Sequence, residues 1–177
     1  MPDHAFQLSA PTAMLRPPAE ARPAPSTGLP HRAPLGPTVD RQLGACRRNG
    51  TSLAVLSISL DSLETVKQRY GHAVQNQVLH AAWNRLRSRL RASDLAVCVG
   101  SDEFGAILLD AAGPTAAVVD ARVTGVLCEP YRIGALEIGI SVRTGVAVYP
   151  QAGSTGEALA KACRQAATAI TRNPTEL

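Results

Sequence analysis

The sequence predicts a mixed α and β fold, α+β in type, with a mostly antiparallel sheet flanked by helices, and three stretches carry that prediction. Residues 52–60, SLAVLSISL, are rich in β-formers and alternate towards their end, which marks a central strand. Residues 94–99 and 104–109 are short apolar runs separated by GSDE, a turn-forming set that makes them a β-hairpin with two acids, Asp102 and Glu103, at its tip. Residues 74–90 place Val78, Leu79, Ala82, Leu86 and Leu90 on one helical stripe, with Arg85, Arg87 and Arg89 outside it on a face expected to be solvated. Such a helix packs on a sheet.

The remaining elements follow in order. Residues 1–25 are rich in Pro and Ala, without an apolar period, and read as a disordered or polyproline-like leader. The folded domain is expected over residues 26–174. After a second Pro/Gly cluster at 29–37, Val39, Leu43 and Cys46 fall at helical spacing within 38–48. A short helix over 63–70 is closed by Gly71, and His72 is expected to cap or pack the junction with the next helix. Residues 116–127 form an amphipathic helix. Residues 131–140 and 142–149 read as strands, and 155–171 as a closing helix with a Ser/Thr-x-x-Glu cap around Ser154 and Glu157.

Composition narrows the function. A chain of 177 residues with 45% hydrophobic and 18% charged side chains can bury a core of ordinary size. Its net charge of +4 is almost wholly arginine, Lys67 and Lys161 being the lysines, and only 3% of residues are aromatic, so little is available to stack on bases. Nucleic acid is not an expected partner. No secretory leader and no run of about 18 apolar residues is evident, so neither secretion nor a membrane partner is expected. Cys46, Cys98, Cys128 and Cys163 are widely spaced, without a CxxC pair or a histidine cluster, and read as buried thiols of a cytoplasmic protein.

Four ordered segments then carry a resemblance: STGLPHR at 26–32, LDSLETVKQRYGHAVQN at 60–76, GSDEF at 100–104 and TGVAVYP at 144–150. Together they resemble successive landmarks of the GGDEF family, on the elements where that family carries them. The resemblance implies a five-stranded sheet with flanking helices, related to the palm of nucleotide cyclases and polymerases. It also implies bacterial signalling chemistry, in which two GTP molecules on facing domains condense to cyclic di-GMP.

That chemistry needs divalent cations held by carboxylates. Aligned through Gly71 and His72, the family's first metal-binding aspartate falls on Ser59 and its second aspartate on Asp61, while Asp102 keeps the acid of the hairpin motif. Asp61 could substitute only by moving the carboxylate roughly 6.6 Å along a strand, more than a metal bond tolerates. The guanine contacts fall on Lys67 and Asn76, with Gln68 beside the first, and Asn76 retains one hydrogen bond at most. The expected phosphate-binding lysines fall on Glu64 and Ile170. Ser101 replaces the second hinge glycine after Gly100 and adds a side chain where backbone approaches the nucleotide.

Arg91 and Asp94 stand where the family places the RxxD motif of its inhibitory site for cyclic di-GMP. Cys98 replaces a further arginine of that site, and Arg122 is a candidate to supply a second guanidinium. The alternative is an ion pair between Arg91 and Asp94 at a helix end, without a ligand. His31 is expected at the surface. The function expected is thus a degenerate GGDEF domain in cyclic di-GMP signalling, catalytically inactive, sensing the nucleotide or pairing with another signalling protein or a second copy. No cofactor is expected, with Mg2+ needed only for residual activity. The alternative is a weak diguanylate cyclase using Asp102, Glu103 and Asp61.

Overall fold

The structure, a computed structural model, describes residues 29–169. The expected leader, the first part of the STGLPHR segment and Ile170 lie outside the described residues.

Helix α1 spans Leu35–Asn49 and starts earlier than its apolar spacing suggests. Pro37 sits in the first turn, where a missing N–H breaks no helical bond, so the proline-rich stretch opens the helix rather than preceding it. Gly50 ends it at φ 64°. Strand β1 follows at Leu53–Leu60, then α2 at Leu63–Tyr70 and α3 at His72–Ser88, with Gly71 between the helices at φ 84°. The hairpin is β2, Leu95–Cys98, and β3, Glu103–Leu109. Then come α4 at Gly113–Cys128, β4 at Tyr131–Ile133, β5 at Leu136–Ile138, β6 at Val142–Tyr149 and α5 at Gly156–Ala169.

The main sheet has the order β2-β3-β1-β6, and every pair in it is antiparallel. It holds four strands rather than the five expected. Residues 131–140 do not run as one strand, because the chain reverses at Gly134, φ 59°, and β4 pairs with β5 in a separate two-stranded sheet.

Each face of the main sheet carries its own core, as the two-residue alternation of a strand requires. Ala54, Leu56, Ile58 and Leu60 of β1, with Phe104, Ala106 and Leu108 of β3, pack beneath α2, α3 and α4. Trp83, which the apolar stripe of α3 does not include, is buried edge-on against Phe104 at 5.4 Å between ring centres. On the other face Leu53, Val55 and Ile107 pack with Val39, Leu43 and Cys46 of α1 and Leu159, Ala160 and Cys163 of α5. α5 lies so close to β6 that a Cβ on Gly145 would stand 2.1 Å from the Cys163 carbonyl oxygen. Where α1 crosses α5, Gly36 and Gly156 meet, and the Asp40 carboxylate accepts the Gly156 N–H at 2.6 Å. The side chain that caps α5 is Thr155, whose Oγ1 accepts from the Ala158 N–H, rather than Ser154.

Two further expectations are corrected. Arg85 is no solvated side chain: its guanidinium donates to the carbonyls of Val126, Glu129 and Pro130 and lies 3.9 Å from the centre of the Tyr131 ring. Cys46, Cys98 and Cys163 are buried, but Cys128, at the end of α4, is exposed. No helix among the described residues is long and apolar enough to cross a membrane.

Candidate functional site

The candidate site gathers where β1 ends beside the hairpin. Antiparallel register places Ser59 opposite Glu103 on β3 and opposite Arg143 on β6, so three strands bring these side chains to the sheet face that carries α5. One pair further in, Ser57 stands opposite Gly105 and Gly145. Lacking side chains, those glycines leave room for Leu35 and for α5 to approach.

Every carboxylate here except Asp102 is engaged by a guanidinium. Asp61 accepts two hydrogen bonds from Arg143, Nε to Oδ2 and Nη2 to Oδ1, both at 2.5 Å. This fork-to-fork geometry is the strongest form of the pair, and it holds the Arg143 pKa above its ordinary value. Glu103 does not sit at the hairpin tip. It is the first residue of β3, and its Oε1 accepts from Arg164 Nε of α5 at 2.8 Å and from Ser57 Oγ at 3.2 Å. That contact likewise raises the Arg164 pKa. Asp102 is the exposed acid of the tip, with its Oδ1 accepting from the Ser101 hydroxyl at 3.2 Å, and its backbone carbonyl holds the Leu60 N–H at 2.8 Å. Gly100 closes the turn through its N–H to the Glu103 carbonyl. Among the described residues no three His, Cys, Asp or Glu side chains gather as a metal site would need.

The positions expected to contact nucleotide lie on α2 and α3. Lys67 and Glu64, which stand where a guanine contact and a phosphate lysine were expected, pair with each other at 3.2 Å, so two changed positions neutralise one another on one helix face. Gln68 and Asn76 are exposed. His72 opens α3 as an exposed residue without a side-chain cap, and His31 is exposed.

At the end of α3, Asp94 is buried and its Oδ2 accepts the Arg91 backbone N–H at 2.9 Å, while the Asp94 N–H returns to the Arg91 carbonyl. Asp94 thus closes a turn and holds the Arg91 backbone; it is not paired with the Arg91 guanidinium, and Arg91 is exposed. Arg122 on α4 donates from Nη2 to the Arg89 carbonyl at 2.7 Å, which brings it to the same helix end. Cys98 is buried, and desolvation raises its thiol pKa.

Sequence reasoning missed Arg143, Arg164 and Ser57. The one charge in the largely apolar strand VRTGVAVY, at its second position, was a visible signal for Arg143. Nothing local pointed to Arg164, whose role depends on how α5 crosses the sheet.

An antiparallel sheet with helices on both faces and a hairpin beside the end of its central strand is the arrangement found in GGDEF domains of known structure. The sequence matches the family described as "Diguanylate cyclase, GGDEF domain" over residues 25–176, and the chain belongs to that family. It is 33% identical over 135 residues to the diguanylate cyclase TpbB of Pseudomonas aeruginosa, covering 75% of this chain and 31% of that protein. It is 32% identical over 130 residues to the bifunctional diguanylate cyclase/cyclic di-GMP phosphodiesterase MucR of the same organism, covering 73% of this chain and 19% of that protein. The chain therefore spans under a third of the length of these curated relatives. The crystal structure of the TpbB GGDEF domain superposes with a TM-score of 0.77 at 31% identity, covering 83% of this chain and 92% of that one.

Proposed function

We propose that this GGDEF domain does not cyclise GTP and acts in the cytoplasm as an interaction or nucleotide-sensing module of cyclic di-GMP signalling. The observation that carries the reading is the state of the strand-end acids. Cation-assisted condensation needs carboxylates free to bind the ion beside the substrate phosphates, held in fixed geometry. Here Ser59 offers a hydroxyl, Asp61 is forked by Arg143, Glu103 is held by Arg164, and Asp102 stands alone. These donors do not fit a divalent cation site. The Lys67–Glu64 pair adds to this, because a carboxylate replaces a cation where a triphosphate would lie.

Prolonged incubation of the purified chain with GTP and Mg2+, followed by chromatography, is expected to yield no cyclic di-GMP. Turnover at rates typical of family cyclases would establish the opposite reading, a working cyclase using Asp102, Glu103 and Asp61. Ser59→Asp alone is expected not to restore activity, since the guanine contacts at Lys67 and Gln68 stay changed.

Sensing of cyclic di-GMP at Arg91, Asp94 and Arg122 is the second reading, favoured by the seat of Arg122 on the Arg89 carbonyl. Two guanidinium groups at one helix end suit the phosphates and guanine edges of that ligand. The two readings are compatible, since this site shares no residue with the strand-end acids.

A further inference from the structure

The strand-end cluster offsets most of its own charge. Asp61, Glu103 and Asp102 contribute three negative charges, and Arg143 and Arg164 return two positive ones through the contacts above. Arg143 matters most, because position 59 faces it directly across the β1–β6 pair. Directly opposed side chains on one face of a sheet have Cβ atoms about 4.5–5.5 Å apart, so any acid placed at 59 would come within reach of this guanidinium. Arg143 would then hold carboxylates at 59 and 61 together, leaving neither as a free donor to a hard cation. A divalent ion entering there would also meet the Arg143 guanidinium, the side chains of Arg143 and Asp61 being 35% and 27% exposed.

We propose that Arg143 closes this site to divalent cations, its guanidinium neutralising the strand-end carboxylates in place of a metal. The proposal rests on the non-cyclising reading and goes beyond it. It assigns the block to a residue outside the family's motifs, and it holds that repairing Ser59 alone cannot reopen the site. The cluster is then kept together by ion pairs, insensitive to metal chelation, and Arg143 is the specificity-determining residue that selects an internal cation over an external one.

The experiment follows Mn2+ binding by loss of the free-ion electron paramagnetic resonance signal, in the unmodified chain, Ser59→Asp, Arg143→Ser and the double variant Ser59→Asp/Arg143→Ser. The double variant is expected to bind Mn2+ at least roughly tenfold more tightly than Ser59→Asp alone, a difference of about 1.4 kcal/mol. Adding Asp102→Asn is expected to abolish that gain, which places the ion at the cluster. Equal binding by Ser59→Asp and the double variant would overturn the proposal, as would a folded double variant that takes up no Mn2+. Should that variant fail to fold, Ser59→Asp/Arg143→Gln keeps a hydrogen-bonding side chain and is held to the same outcomes. The unmodified chain supplies an independent measurement: a rise in melting temperature with Mg2+ that is lost in Asp102→Asn sinks the proposal. Mn2+ bound by the unmodified chain without cyclic product from GTP would remove the role of Arg143 and leave the non-cyclising reading intact. Cyclic product from the unmodified chain would remove that reading itself.

Discussion

A carboxylate that already accepts two charge-assisted hydrogen bonds from one guanidinium has little left for a second cation, and that is the condition of Asp61. The opposite condition holds at the end of α3, where Arg91 is exposed and Asp94 fixes its backbone without occupying its side chain. A phosphate-bearing ligand would meet a guanidinium held at its base and free at its tip. Titration calorimetry with cyclic di-GMP is expected to give binding in the micromolar range or weaker, equivalent to about 8 kcal/mol, because Cys98 contributes a buried thiol in place of a cation. Arg91→Ala is expected to cost on the order of 1.5 to 3 kcal/mol, the range for a hydrogen bond to a charged group, which puts binding beyond detection. Identical heats from both proteins, or none from either, would leave Asp94 as a turn residue only. The motif residues of both sites were legible in the sequence because each lies at a fixed offset from a landmark. Their present partners were not. Glu103 with Arg164 and Asp61 with Arg143 lie 61 and 82 residues apart in the chain, and only strand register and the crossing of α5 bring them together.

At the scale of elements, the sequence reveals what periodicity encodes and hides what backbone proximity decides. β1, α2, β3 and β6 fall within a residue or so of where alternation and Gly71 place them. Two of the departures have local reasons. α1 starts at Leu35 because prolines suit a first turn as well as they suit a loop. Residues 131–140 fold back on themselves at Gly134, so a run that reads as one strand becomes two. Nor does TGVAVYP disclose why it needs its glycine, which the packing of α5 on β6 makes plain. A methyl group on Gly145 would meet the Cys163 carbonyl oxygen at 2.1 Å and the Ala167 nitrogen at 2.2 Å, both backbone atoms that cannot rotate away. Gly145→Ala is therefore expected to lose about 3 kcal/mol or more, the upper range for overpacking, read as a lower urea midpoint. Gly125→Ala, where nothing lies within 4 Å of the added group, is expected to be neutral or slightly stabilising. Equal stability of the two variants would mean that α5 does not lie on β6 as described.

For the whole molecule, the two cores differ in what alkali does to them, since one buries a tyrosine and the other a cysteine whose pKa desolvation raises strongly. Beneath α3 and α4, Tyr131 is 1% exposed, its hydroxyl donates to the Leu127 carbonyl at 2.8 Å, and desolvation pushes its pKa up to about 12 from an ordinary 10. Beneath α5, burial likewise pushes the Cys163 thiol to about 11 from an ordinary 9. In both cases the folded state holds its proton more tightly than the unfolded chain does. The stabilisation is therefore complete below the unfolded pKa and disappears as pH rises through the folded one. Each shift of about two units corresponds to something on the order of 2 to 3 kcal/mol, so stability is expected to hold to about pH 9, decline first through Cys163 and then through Tyr131, and be lowest near pH 12. Urea unfolding at stepped pH measures this directly. Cys163→Ala is expected to make the early part of the decline shallower. Tyr131→Phe, which gives up roughly 1 kcal/mol at neutral pH with the loss of its hydrogen bond, is expected to flatten the later part. Curves that stay parallel for all three proteins from pH 8 upward would show that neither group is buried in the folded chain, and with that the two-faced core would have to be redrawn.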